Sequence, residues 1–99
     1  MKIHFERTGG FAGRKLETTV DSDELPSAET ERLAGMIERA RFFDLPRSLE
    51  SRAEGADLFR YVLTVEAAGR AHTIRASEVT APEELRPLLD WLAARARGA

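Results

Sequence analysis

Leu58-Phe59-Arg60-Tyr61-Val62-Leu63-Thr64-Val65-Glu66-Ala67-Ala68-Gly69-Arg70-Ala71-His72-Thr73-Ile74-Arg75-Ala76 is the stretch that decides the fold. Phe59, Tyr61, Leu63 and Val65 alternate with Arg60, Val62, Thr64 and Glu66. That is the two-residue period of a strand with one buried face. His72, Ile74 and Ala76 alternate in the same way with Thr73 and Arg75. Between the two runs, Ala67-Ala68-Gly69-Arg70 supplies a turn, with Gly69 free to take left-handed backbone angles. The stretch is a β-hairpin, and it sets the period against which the flanks are read.

Toward the N-terminus, Lys2 to Thr8 alternates, with Ile3 and Phe5 on one face and Lys2, His4 and Glu6 on the other. Gly9-Gly10-Phe11-Ala12-Gly13 breaks that strand, and Lys15 to Asp21 resumes the alternation through Leu16, Thr18 and Val20. This is a second hairpin with a wider loop. Ser27 is placed to cap a helix whose first turn carries Glu29 and Glu31, where the helix dipole favours negative charge. Leu33, Met36, Ile37 and Ala40 form its apolar stripe. Pro46 sets a limit near Phe42 or Phe43, because the residue before a proline disfavours helical angles. Arg47 to Asp57 has no periodicity and is read as an exposed loop.

Past the fold-deciding hairpin, Thr80-Ala81-Pro82-Glu83 has the spacing of a capping box. Leu85, Leu88, Leu89 and Leu92 recur at helical spacing. Pro87 places a short turn over residues 81–85 and the main helix from about Pro87, ending at Gly98. The order is ββαββα. The predicted class is α+β, a four-stranded sheet with two helices packed on one face. The other face presents His4, Glu6, Lys15, Glu17, Arg60, Thr64, Glu66, Thr73 and Arg75 to water.

Ninety-nine residues are read as one domain, 1–99, with a single modest core. The chain is 42% hydrophobic and 32% charged, the balance of a folded globular protein rather than a disordered one. A net charge of −2 argues against a phosphate-backbone binder, so no nucleic-acid partner is expected. No cysteine is present. Disulfides, thiolate zinc sites and cysteine nucleophiles are thereby excluded, and the absence fits the cytosol. Met1 to Arg7 carries no long apolar stretch, and no window approaches the ~20 apolar residues of a membrane helix. The expectation is a cytoplasmic protein, neither secreted nor membrane-bound, and a monomer.

Catalytic constellations are not found. The two histidines, His4 and His72, fall on opposite faces of the sheet, and a zinc site needs three or four converging ligands. No nucleophile elbow, metalloprotease helix or phosphate loop occurs. Gly9–Gly13 opens a strand where a dinucleotide fingerprint would open a helix. Acidic pairs such as Asp21/Asp23 and Glu83/Glu84 read as solvated helix starts. The chain is therefore expected to be no enzyme and to need no cofactor or metal. Phe11, flanked by small residues, is either an exposed aromatic anchor on a loop tip or a side chain folded back over the core. The apolar residues of Phe42-Phe43-Asp44-Leu45-Pro46 belong at least in part to the core, and Trp91 belongs at its edge.

Several segments together resemble the emfourin family. They are Met1-Lys2-Ile3-His4-Phe5-Glu6-Arg7-Thr8-Gly9-Gly10-Phe11-Ala12-Gly13, Phe42-Phe43-Asp44-Leu45-Pro46, Gly55-Ala56-Asp57 leading into Tyr61-Val62-Leu63-Thr64-Val65, and Leu85-Arg86-Pro87-Leu88-Leu89. Emfourin-like proteins are small bacterial inhibitors of protealysin, a thermolysin-like zinc metalloprotease. The resemblance implies protease inhibition, which neither composition nor periodicity indicates. In the ββαββα order, with the first helix returning along the sheet, Gly9–Gly13, Pro46–Asp57 and Ser77–Ala81 are expected at one end, opposite the Ala67–Arg70 turn. Gly9, Gly10, Phe11, Ala12, Gly13, Glu54, Gly55 and Asp57 are the expected protease contacts. Phe11 suits enzymes that prefer large apolar side chains beside the scissile bond, and Glu54 or Asp57 is a carboxylate of the kind that ligates zinc. The competing reading is a general protein-interaction module with no protease target.

Overall fold

A computed structural model describes residues 1–10, 15–50 and 58–98. Four strands, β1 (Lys2–Gly9), β2 (Leu16–Asp21), β3 (Phe59–Ala67) and β4 (Arg70–Ser77), form one antiparallel sheet in the order β2-β1-β3-β4. The helices are α1 (Ser27–Arg39) and α2 (Arg86–Ala96). The ββαββα order and the α+β class follow the sequence pattern.

Register explains why the alternation was informative. Ile3 stands opposite both Val20 and Val65, Phe5 opposite Leu63, and Leu63 opposite Ile74. Directly opposed residues share a face, so every apolar alternation lands on the same side of the sheet. That side meets Leu33, Met36 and Ile37 of α1 and Leu88, Leu89, Leu92 and Ala93 of α2 in one buried cluster. The opposite face carries Lys2, His4, Glu6, Glu17, Thr64 and Thr73, as read from the sequence. The β3–β4 turn has two residues, Ala68 (φ 51°) and Gly69 (φ 77°), both left-handed, which matches the twist of a tight hairpin.

Helix ends differ from the reading in three places. Pro26, not Ser27, stands at the N-cap of α1; Ser27 is the first helical residue, and no side chain caps the turn. The helix ends at Arg39 rather than near Phe42. Arg41 takes a left-handed conformation (φ 50°) that ends it, and Phe42–Asp44 form a 3-10 turn that drives Phe42 into the core. The Thr80 capping box is not formed, because the Thr80 hydroxyl serves Ser77 instead. The expected short turn before α2 is present as a 3-10 turn, Glu83–Leu85, and Pro87 sits in the first turn of the helix, where its missing N–H costs nothing.

The course of α1 is the main correction. It starts beside the end of β2, where the Thr30 hydroxyl donates to the Ser22 carbonyl (3.1 Å) and the Ser22 N–H to the Met1 carbonyl (2.8 Å). Its last turn reaches Ala67 and Arg70, at that same end of the sheet but on the β4 side. The helix therefore crosses the sheet and does not travel back along it. The return is made by residues 45–50, which run parallel to β4. Arg75 donates its N–H to the Arg47 carbonyl (2.8 Å), and the Leu49 N–H donates to the Arg75 carbonyl (2.7 Å). His72 Nε2 lies 2.7 Å from the Leu45 carbonyl. A carbonyl only accepts, so the ring proton sits on Nε2. The segment read as a free loop is thus in part an edge pairing that covers the outer side of β4.

Candidate functional site

The end of the sheet opposite the Ala67–Arg70 turn is built around Phe59. Gly9 is the last residue of β1 and pairs with Phe59, the first of β3. Gly9 and Gly10 have φ of 87° and 75°, which L-residues rarely adopt. Space makes the same demand: a β-carbon on Gly9 would overlap the Leu58 carbonyl oxygen, and one on Gly10 would overlap the Phe59 ring. The two glycines let β1 leave the sheet while pressed against the start of β3. On the inward side, the Arg7 guanidinium lies 4.1 Å from the Phe59 ring centroid, a cation–π contact. Tyr61, one step further in, is half-buried beneath it. Burial raises its phenol pKa above the ordinary value, and the Arg7 charge opposes that shift.

The β4–α2 connection joins the same end. Phe59 donates its N–H to Glu78 Oε1 (2.8 Å) and accepts the Glu78 N–H at its carbonyl (2.9 Å). The Glu78 carbonyl accepts from the Arg86 guanidinium (2.7 Å). Ser77 is fully buried, and its hydroxyl accepts the N–H groups of Val79 and Thr80, both at 3.2 Å. Its own N–H donates to the Thr80 hydroxyl (2.9 Å), and its carbonyl accepts from Ala81 (2.9 Å). From the β4 side, Glu50 reaches Arg60 at 3.4 Å. Three connections therefore approach one end: the exit of β1, the entry to β3 and the Ser77–Ala81 turn.

Among the residues expected to contact a protease, Gly9 and Gly10 stand at this end. Phe11, Ala12, Gly13, Glu54, Gly55 and Asp57 lie outside the described residues. Pro46 to Leu49 do not belong to it, since they run along β4. Sequence reasoning missed Glu78, Val79 and Arg86. The signal available was slight: Ser77 and Thr80 have the spacing of a hydroxyl-locked turn, and Val79 is the one apolar residue among its polar neighbours Glu78 and Thr80.

Two other features bear on function. On the exposed sheet face, His4 Nε2 lies 3.6 Å from Glu6 and 3.4 Å from Glu17, with His4 Nδ1 held by the Thr19 hydroxyl at 2.9 Å. The Lys15 ammonium sits between the two carboxylates, 3.1 Å from Glu6 and 3.5 Å from Glu17. Hydrogen bonding to Glu17 and then to Lys15 holds the Glu6 carboxyl below its usual range, and Glu6 in turn raises the Lys15 pKa. The group is a surface network of two carboxylates and one ammonium, in which one ligand atom each from His4, Glu6 and Glu17 lie within 4.8 Å of one another. His72 is on the other face, against Phe42 and Phe43, so the two histidines do not converge.

At the far end, the last turn of α1 and the β3–β4 turn enclose an open groove of about 610 Å³. Ile37, Phe42 and Phe43 contribute to its wall, and Arg70 stacks on Phe43 at 4.3 Å. No helix among the described residues is long and apolar enough to cross a membrane.

The family model described as Emfourin matches residues 5–93, nearly the whole chain. Comparison with curated proteins and with solved structures returned no match.

Proposed function

The chain belongs to the Emfourin family, and from that premise we propose that it inhibits a thermolysin-like zinc metalloprotease by obstructing the enzyme's substrate cleft with the Phe59 end of the sheet. Membership in this family points to a protease-inhibitor role in general. The enzyme class and the obstructing surface are our reading.

One observation carries it. The exit of β1 pairs with Phe59 at Gly9, and the Ser77–Ala81 turn is hydrogen-bonded to Phe59 through both the backbone and the side chain of Glu78, so the three connections brace one another. An inhibitor must present loops to a cleft without loosening into a substrate, and cross-braced loops do this because little conformational entropy remains to be lost on docking. In this reading Gly9–Gly13 with Phe11 enters the cleft, and Glu54, Gly55 and Asp57 approach from the neighbouring connection. The protein supplies shape and apolar contact and performs no chemistry.

The test is a titration of a purified thermolysin-like protease at a concentration well above the expected inhibition constant. Loss of activity that is linear to a 1:1 endpoint and relieved competitively by substrate supports the proposal. No effect at micromolar excess refutes it and favours an interaction module without a protease target. Phe11→Ala in a folded variant should weaken inhibition more than ten-fold, equivalent to about 1.4 kcal/mol.

A further inference from the structure

Val79 is 63% exposed, and it is the one large apolar side chain left in solvent among the described residues. We propose that Val79 is a second apolar anchor of the inhibitory surface, entering a protease pocket that takes an aliphatic side chain. The inference rests on the reading above and names a contact within it.

Three facts point to an anchor and not to an incidental surface valine. First, its turn is locked on both flanks. Ser77, fully buried, receives the Val79 and Thr80 N–H groups on its hydroxyl, and Glu78 is held by Phe59 on two sides and by Arg86 on a third. A side chain on so fixed a backbone, β-branched and with few rotamers of its own, has little entropy to lose when it is buried by a partner. Second, the site does not need an apolar residue for its own folding. The hydrogen bonds that shape the turn use the Val79 backbone and the side chains of its neighbours, while the isopropyl group faces water. Third, Glu78 is bonded to Phe59, which pairs with Gly9. Val79 therefore stands at the same end as the glycine exit of β1. Val79 is thus an exposed apolar side chain on a braced turn, flanked by the polar Glu78 and Thr80. On the proposed reading, the pocket that receives Val79 belongs to the protease cleft.

The experiment compares wild type with Val79→Asp, Val79→Ala and Val79→Leu against one thermolysin-like protease, with Arg70→Glu at the far end of the sheet as a control. Circular dichroism and thermal melts confirm that each variant is folded. Val79→Asp should raise the inhibition constant at least ten-fold and Val79→Ala several-fold. Val79→Leu should stay within three-fold of wild type, and Arg70→Glu should leave inhibition unchanged. If wild type inhibits but Val79→Asp inhibits equally well, the anchor is refuted and the cleft-blocking reading stands. If Arg70→Glu weakens inhibition as much as Val79→Asp, the effect is not local to this end and the anchor is also refuted. If wild type itself fails to inhibit, both fall together.

Discussion

Gly9 and Gly69 form a matched pair from which the packing of the Phe59 end can be weighed. Both have strongly positive φ, 87° and 77°. Replacing either with alanine forces an L-residue into the left-handed region, at a cost of about 1–2 kcal/mol. The surroundings differ. A β-carbon on Gly69 meets nothing within 4 Å, so Gly69→Ala should lose about 1–2 kcal/mol and no more. A β-carbon on Gly9 overlaps the Leu58 carbonyl oxygen and lies 3.4 Å from the Leu58 carbonyl carbon. Those are backbone atoms of a strand entry, which cannot swing aside as a side-chain tip can. Relief requires β1 and β3 to part, adding about 1–3 kcal/mol of overpacking strain. Gly9→Ala should therefore lose about 2–5 kcal/mol. Urea titration followed by the fluorescence of Trp91, the only tryptophan, reads both variants. With a slope near 2 kcal/mol per molar urea, the midpoint should fall by about 0.5–1 M for Gly69→Ala and about 1–2.5 M for Gly9→Ala. If Gly9→Ala costs no more than Gly69→Ala, the close approach of β1 to Leu58 is wrong, and so is the braced end built on it.

Three further expectations follow from the same structure. Phe42 is 1% exposed and packs edge-on against Phe43 and His72, so Phe42→Ala should cost about 3–5 kcal/mol, and a thermal melt should show a Tm at least ~12 °C lower. Gly35 lies inside α1 with ordinary backbone angles, and the nearest neighbour of an added β-carbon is the flexible Arg39 guanidinium at 3.3 Å; Gly35→Ala should stabilise by about 0.5–1 kcal/mol in the same urea assay. Tyr61 is the only tyrosine, so phenolate absorbance reports it alone: burial raises its pKa, the native midpoint should lie above the ordinary 10.0, and it should return toward that value in denaturant. Because the folded pKa is the higher one, this contribution to stability is complete below pH 10 and is lost as pH rises through the native midpoint; a native midpoint at or below 10.0 would contradict the burial of Tyr61.

Much of the sheet was legible because alternation is a local property. Whether Leu63 faces inward is settled by its neighbours in sequence, and antiparallel pairing only has to keep those faces together. The same holds for the leucine spacing of α2 and for the two-residue turn at Ala68 and Gly69. The direction of α1 was not legible. Its apolar stripe says which face is buried but not the angle at which that face crosses the strands; the turn that follows the helix packs Phe42 against His72, 30 residues away in the chain.

The functional end divides along the same line. From the order of residues alone came the class of fold, the two glycines that end β1 and the likeness to an inhibitor family. Only the folded chain brings Glu78 to the backbone of Phe59, turns residues 45–50 along β4 and leaves Val79 in water on a locked turn. The reason is physical. Period and turn chemistry act between residues a few positions apart and are written in the sequence. Long-range hydrogen bonds and the exposure of a single side chain depend on which distant surfaces meet, and no local pattern encodes that meeting.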